Sequence, residues 1–456
     1  MSSHEGSGDT TPIASVEQLA SYHAGGERPR AAWKVGTEYE KFAVALPDYT
    51  PLKYLPEGKL PGIKTLLNAM ESCCGWKPLV DNGELIALSS DSGSISLEPG
   101  GQVELSGDAF ATIHETADEL RQHCRQLELL SAELSVRWIW IGAQPVHGLD
   151  DIGWMPKRRY AVMRDYLPTK GSMARHMMQS TCTVQANLDY ASEADMARKM
   201  RMAFGVSSIV TAMFANSPLE GGKASKYKSR RSRIWLDTDN ERSGLLRFAL
   251  DGDGASYESY AEWALDVPLF FIMREGELIN CAGLPFREFW KSGFEGHEAT
   301  VEDWETHLST MFPDVRIKTY METRTADVVP PDLIPALPAL WKGLCYDDTA
   351  LDAAWDLVRK WSWSERLQHR NDVVRDALAA RVPAGYETAE LARELLQISR
   401  YGLQRQAAAN GHEDESVFLN PLSKLTDQGK CPADVLLEWC AKDQPSPKQI
   451  LEYLSR

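Results

Sequence analysis

VGTEYEKFAV, residues 35–44, reads as a β-strand in which side chains alternate between two faces, so Glu38 and Glu40 project from the same side. Two acids on one side of an otherwise apolar segment set the question for the neighbouring stretches. SISLE (94–98) puts Ile95 and Leu97 on one face and Glu98 on the other, and QVELS (102–106) sets Val103 and Leu105 against Glu104. CTVQANLDY (182–190) alternates Val184, Ala186 and Leu188 with Thr183, Gln185, Asn187 and Asp189. In TYMETRT (319–325), Glu322 and Arg324 point the same way.

A single strand of this kind is expected of any antiparallel sheet with one face in water. Five such strands, with few lysines among the acids, describe a shared concave surface carrying Glu38, Glu40, Glu98, Glu104 and Glu322. Carboxylates gathered in this way repel one another unless cations sit between them. Hard oxygen ligands without His or Cys partners select magnesium or manganese over zinc. Arginines stand against the acids: Arg158 and Arg159 in KRRY (157–160), Arg230, Arg231 and Arg233 in SRRSR (229–233), and Arg324 two residues from Glu322. Charge pattern alone leaves SRRSR equally readable as a solvated loop. Guanidinium forks also suit carboxylate and phosphate. The chain has no Walker A motif, dinucleotide GxGxxG or nucleophile elbow, and PGGQ (99–102) reads as a tight turn between two strands.

Around these strands the pattern is mixed, without a regular βαβ alternation, which points to an α+β fold with a largely antiparallel sheet. After Asp108, apolar residues at Ile113, Ala117, Leu120, Cys124, Leu127, Leu130 and Leu134 keep helical spacing. That helix leads into RWIWIGAQP (137–145), a buried strand. A second helix is expected over about 192–214, opened by Ser192 with Glu193 and Asp195 in its first turn. The proline-rich PPDLIPALPAL (330–340) marks a change to helical sequence. The division expected is a disordered polar tail over 1–12, a catalytic body over 13–344 and a helical C-terminal arm over 345–456 packed on that body.

With 43% hydrophobic and 25% charged residues, the 456-residue chain has the composition of a globular enzyme. Its net charge of -16 disfavours nucleic acid and anionic membrane as partners. No stretch reaches the roughly 20 apolar residues of a spanning helix. MSSHEGSGDTTP (1–12) has neither the apolar core of a secretory signal nor the Arg-rich character of a transit peptide, so a cytoplasmic location is expected. Eight scattered cysteines without a CxxC suggest reduced thiols.

Several long segments resemble the plant and proteobacterial type of glutamate–cysteine ligase, among the glutamine-synthetase-like carboxylate–amine ligases. In chain order these are VGTEYEKF (35–42), SLEPGGQVELSG (96–107), MPKRRY (155–160), TCTVQANLDYASEADM (181–196), AMFANSP (212–218), RSRIWLDTD (231–239), ALDVPLFF (264–271) and DWETHLSTMFPDVRIKTYMETRTAD (303–327). LPALWKGLCYDDTALDAAWDLV (337–358) and VFLNPL (417–422) carry the likeness into the helical arm. The resemblance implies a strongly curved sheet forming a funnel backed by helices. It implies ATP with magnesium at one end and the substrates glutamate and cysteine at the other, in a monomer or weak homodimer. The family's metal carboxylates fall on Glu38, Glu40, Glu98, Glu104 and Glu322, with Gln185 where relatives place a third-site ligand. Its arginines for glutamate and the phosphoryl groups fall on Arg159 and Arg231, with Arg324 beside the last metal ligand. On that likeness Arg159 and Arg324 are the expected stabilisers of phosphoryl transfer, and Arg231 the grip on a substrate carboxylate.

Two departures from the family pattern stand out. Ser180-Thr181 replaces the usual Arg-Thr before the CTVQ strand, and Arg230 replaces an aromatic or aliphatic residue, so Arg230 becomes a candidate substrate-binding cation in compensation. The cysteines of the plant enzymes' redox switch are not reproduced, since Ala117 stands at one position and Cys281 lacks its hairpin partner in KSGFEGHE. The function implied is ATP-dependent joining of the glutamate side-chain carboxylate to the amine of cysteine through a γ-glutamyl phosphate, the first step of glutathione synthesis. A γ-glutamyl ligase for another amine and a silent binding protein on the same fold are the competing readings.

Overall fold

In the computed structural model, which describes residues 8–91, 93–252 and 254–455, the acid-bearing strands lie side by side. The strands that build and flank the site are β1 (Val35–Ala45), β2 (Thr50–Pro51), β3 (Lys77–Asp81), β4 (Glu84–Ser90), β5 (Gly93–Leu97), β6 (Val103–Phe110), β7 (Val136–Ile139) and β8 (Thr183–Leu188), followed by a separate hairpin, β9 (Phe271–Arg274) and β10 (Glu277–Asn280), and by β11 (Val315–Ile317) and β12 (Met321–Asp327). All but β9 and β10 form one ten-stranded sheet in the order β11-β12-β8-β1-β6-β5-β4-β3, with β2 and β7 on the far half of β1. Every ladder in it is antiparallel. The α+β class with a largely antiparallel sheet and backing helices is therefore the observed one.

Register turns the alternation into rows. Glu40 lies opposite Glu104, and Glu104 opposite Ser96. Glu38 lies between Ser106 and Gln185, and Asn187 between Gly36 and Glu322. PGGQ is the turn from β5 to β6, closed by the Gly101 amide donating to the Glu98 carbonyl at 2.9 Å, with Gly101 at a φ of 84° that favours glycine.

The opposite face is the core. Ile95, Leu97, Val103 and Leu105 are buried on the sheet, and the helix Ile113–Leu134 buries Leu120, Leu127 and Leu130 beside it. Thr112 caps that helix in a capping box with Glu115. The helix Glu193–Met213 begins as expected, with the Ser192 hydroxyl accepting from the Asp195 amide.

Helical sequence starts earlier than expected. The helix Ala336–Cys345 is buried along its whole length and packs on β8. The prolines at 330, 331 and 335 precede the helix start instead of delaying it. It crosses the helix Thr388–Asn410 where Gly402 meets Gly343, and a Cβ on Gly402 would fall 2.0 Å from the Gly343 carbonyl. Glu415 ties the C-terminal helices to the sheet body by accepting from the Ile113 amide (2.6 Å) and Lys342 (2.6 Å). The polar tail expected over 1–12 falls partly outside the described residues. At its described end, the amides of Glu302 and Val301 donate to the carbonyls of Asp9 (2.9 Å) and Thr11 (3.0 Å). Those two amides belong to the first turn of the helix Val301–Ser309, which has no partners of its own for them.

Candidate active site

A sheet with one wet face would leave its acids in water. Instead Glu38, Glu40, Glu98, Glu104 and Glu322 are all less than a tenth exposed. Burying several carboxylates together requires strong local compensation. Glu38 accepts from Asn187 Nδ2 at 2.8 Å and Gln185 Nε2 at 3.3 Å. Glu40 accepts from the Thr183 amide at 2.9 Å. Glu104 accepts from the hydroxyls of Ser106 (3.0 Å) and Ser96 (3.2 Å).

These bonds do not offset the crowding everywhere. Burial, and after it the charges of Glu104 and Glu322, raise the Glu38 carboxyl above its ordinary range. Burial with Glu98 and Glu104 raises Glu40 further. Glu322 goes the other way: burial acts to raise it, but Arg316, Arg324 and Lys318 outweigh burial and hold it well below the usual carboxylate range. Arg324 is also bonded to Gln185, Nη1 to Oε1 at 2.8 Å, so Gln185 links Glu38 to that cation.

Among the described residues, no three His, Cys, Asp or Glu side chains stand close enough together to hold one ion as they are placed. The donor set nevertheless fits a hard divalent cation. It is all oxygen, and burial together with the neighbouring carboxylates disfavours the charged forms of Glu38 and Glu40, which a cation would relieve.

The arginines divide. Arg159 lines a cavity of about 280 Å³ with Lys157, Arg158, Ile86, Phe271, Met273 and Leu278. Arg231 donates from Nη2 to the Arg324 carbonyl at 2.9 Å, and both arginines line a narrow cavity of about 30 Å³ with Trp235, Phe312 and Thr211. SRRSR is no solvated loop: Arg230–Trp235 is a helical turn capped by Ser229, with Arg230 and Arg231 buried. Arg230 bonds to Glu220 (Nε 3.1 Å, Nη2 2.9 Å) and to His176 Nδ1 (3.3 Å). His176 lies one turn before Ser180 on the helix Ala174–Ser180, whose hydroxyl returns to the His176 carbonyl at 2.7 Å. Arg230 thus meets the helix of Ser180, with its guanidinium engaged there.

Sequence reasoning passed over Arg316, Asn187 and Lys157. Asn187 shares the polar face of β8, and alternation alone could have nominated it. Arg316 pairs with Glu322 through register, which the three-residue β11 does not announce.

The model of glutamate-cysteine ligase family 2 (GCS2) matches residues 34–452. The chain belongs to glutamate–cysteine ligase family 2. The chloroplastic glutamate–cysteine ligase of Nicotiana tabacum is 41% identical over 425 residues, 92% of this chain and 79% of that protein. Glutamate–cysteine ligase B, chloroplastic, of Oryza sativa subsp. japonica is 41% identical over 431 residues, 94% and 84% of the two chains. The crystal structure of glutamate–cysteine ligase from Francisella tularensis in complex with AMP superposes with a TM-score of 0.57 at 12% identity, covering 93% of this chain and 87% of that one, which makes the fold a shared one. For this member of the family the expected cytoplasmic location is overturned, since these relatives are named as chloroplastic. That expectation rested on the character of residues 1–12 alone, and the packing of the folded body carries no mark of compartment.

Proposed function

We propose that this chain couples ATP cleavage to bond formation between the glutamate side-chain carboxylate and the amine of cysteine, giving γ-glutamylcysteine, the first step of glutathione synthesis. The observation that carries the reading is the buried row of Glu38, Glu40, Glu98, Glu104 and Glu322 flanked by Arg159, Arg231 and Arg324 in a member of this family. An acid cluster of this kind suits a reaction between anions that has to be brought about with cations.

The roles follow from position. The apolar wall of Ile86, Phe271, Met273 and Leu278 suits an adenine base, and Lys157 and Arg159 lie at the same cavity for the phosphates. Magnesium, or manganese, would be held by Glu38, Glu40, Glu98, Glu104 and Glu322 with Gln185 beside them, and when bound it neutralises phosphate charge. A glutamate carboxylate oxygen attacks the γ-phosphorus, ADP leaves, and an acyl phosphate forms. Arg159 and Arg324 face the charge that spreads over the transferring group. Arg231 holds a substrate carboxylate. The cysteine amine then attacks the acyl carbon, phosphate departs and the nitrogen loses a proton.

Arg230 holds the helix Ala174–Ser180 through His176. The deciding experiment is phosphate release from ATP and glutamate with a panel of amines and the product mass. Cysteine-dependent release with a γ-glutamylcysteine mass is expected; preference for another amine, or no ATP consumption, overturns the reading.

A further inference from the structure

KRRY places three basic residues in a row at the start of the helix Arg158–Tyr166, and the structure sends them to different tasks. Arg158 leaves sideways, its Nε donating to Asp81 at 2.8 Å and its Nη1 to the Gly276 carbonyl at the tip of the β9–β10 hairpin at 2.6 Å. Lys157 and Arg159 instead flank the ring of Tyr160, 5.5 and 5.4 Å from its centroid. That ring is fixed by its hydroxyl, which donates to the Leu97 carbonyl at 2.6 Å, the residue before Glu98.

The Lys157 ammonium is buried and donates to no acceptor among the described residues. Nε and Nη2 of Arg159 are in the same state. Both side chains line the cavity of about 280 Å³, and each acts on the other with like charge. Two neighbouring buried cations with unused donors disfavour one another and await an anion rich in acceptor oxygens. Glu98 and Glu104 act on both cations, and the apolar side chains of Ile86, Phe271, Met273 and Leu278 line the same cavity.

We propose that Lys157 grips the phosphate oxygens of ATP beyond the α-phosphate, as a binding residue of its own beside Arg159. The assignment rests on the reading of this cavity as the nucleotide seat. A bland alternative is that Lys157 only packs on Tyr160, and in that case the number of phosphates on a ligand is irrelevant to it.

The test is equilibrium binding of AMP, ADP and ATP to the full chain with magnesium present, for wild type and Lys157→Met, with thermal melts to confirm the fold. A lost charge-assisted contact predicts that ADP and ATP weaken about ten- to a hundredfold. AMP affinity and the KM for glutamate stay as they are. Lys157→Gln, which keeps the stem and a donor but loses the charge, is read in the same way if the Met variant does not fold. Equal weakening of AMP and ATP, or unchanged ATP affinity with a raised glutamate KM, overturns the role of Lys157. A wild-type chain that binds no nucleotide overturns the reading of the cavity itself.

Discussion

Arg316 faces Glu322 across the last hairpin of the sheet and grips its carboxylate with Nη2 at 2.7 Å and Nε at 3.1 Å, both side chains being almost wholly buried. The pair decides how Glu322 behaves. A carboxyl held below its unfolded value stabilises the fold above the ordinary carboxylate range, and that contribution is lost as pH falls through the folded value. Removing one partner of a buried pair costs about 3–5 kcal/mol, and Arg324 and Lys318 should keep Arg316→Met near the lower end, about 3 kcal/mol. Chemical denaturation should show that loss together with acid unfolding at higher pH. The double variant with Glu322→Gln should recover part of it; strictly additive losses would show that the pair is not the cause.

Glu38 and Glu40 carry the opposite sign. Their folded-state values are raised, so their stabilising contribution is present below the unfolded value and is lost as pH rises through the folded one. A bound cation replaces the proton and reverses that loss. Magnesium should therefore raise the melting temperature more at about pH 8 than at about pH 5.5. Melts in chelator against magnesium check this, and an equal rise at both pH values would remove Glu38 and Glu40 from the metal site.

How far these residues were legible follows from the physics of a strand. Period two fixes the face of a residue from its neighbours alone, which is why Glu38, Glu40, Glu104, Gln185 and Glu322 could be placed on one surface, with Glu98 one step past the end of β5. What period two does not encode is register and distance. Arg316 reaches Glu322 through a three-residue strand, and the cavity at Lys157 and Arg159 is walled by a hairpin more than a hundred residues from KRRY in sequence. Arg230 was ambiguous for a related reason: a run of arginines looks solvated until the helix that buries two of them is known.

Arg230 itself yields a prediction. Its guanidinium and burial hold His176 below the ordinary histidine value, burial first. Arg230→Ala should let His176 titrate higher by NMR and should cost about 1–2 kcal/mol from the lost bonds to Glu220 and His176. If Arg230 acts only through the Ala174–Ser180 helix, kcat/KM for ATP and glutamate should fall less than about threefold, far short of a lost direct contact. A tenfold or larger rise in KM for either, by the same measure, would place Arg230 on the substrate directly.

All eight cysteines are free thiols, and burial pushes Cys281 up to about 12, so it is a poor nucleophile. The close pair is Cys73 and Cys74, with Sγ atoms 2.7 Å apart at the end of the helix Ile63–Cys74 and Cys73 exposed. Cys73 is the exposed thiol and its sulfur meets that of Cys74, so mild oxidation is expected first at these two neighbours. Oxidised glutathione should therefore change activity less than about twofold, since neither thiol lies at the acid row or the arginines. Peptide mass mapping should find the modification confined to Cys73 and Cys74, and Cys73→Ser should abolish it without altering turnover. An activity change of several-fold, reversed by thiol and mapped to a bridge at Cys281, would show that the fold brings distant cysteines together in solution.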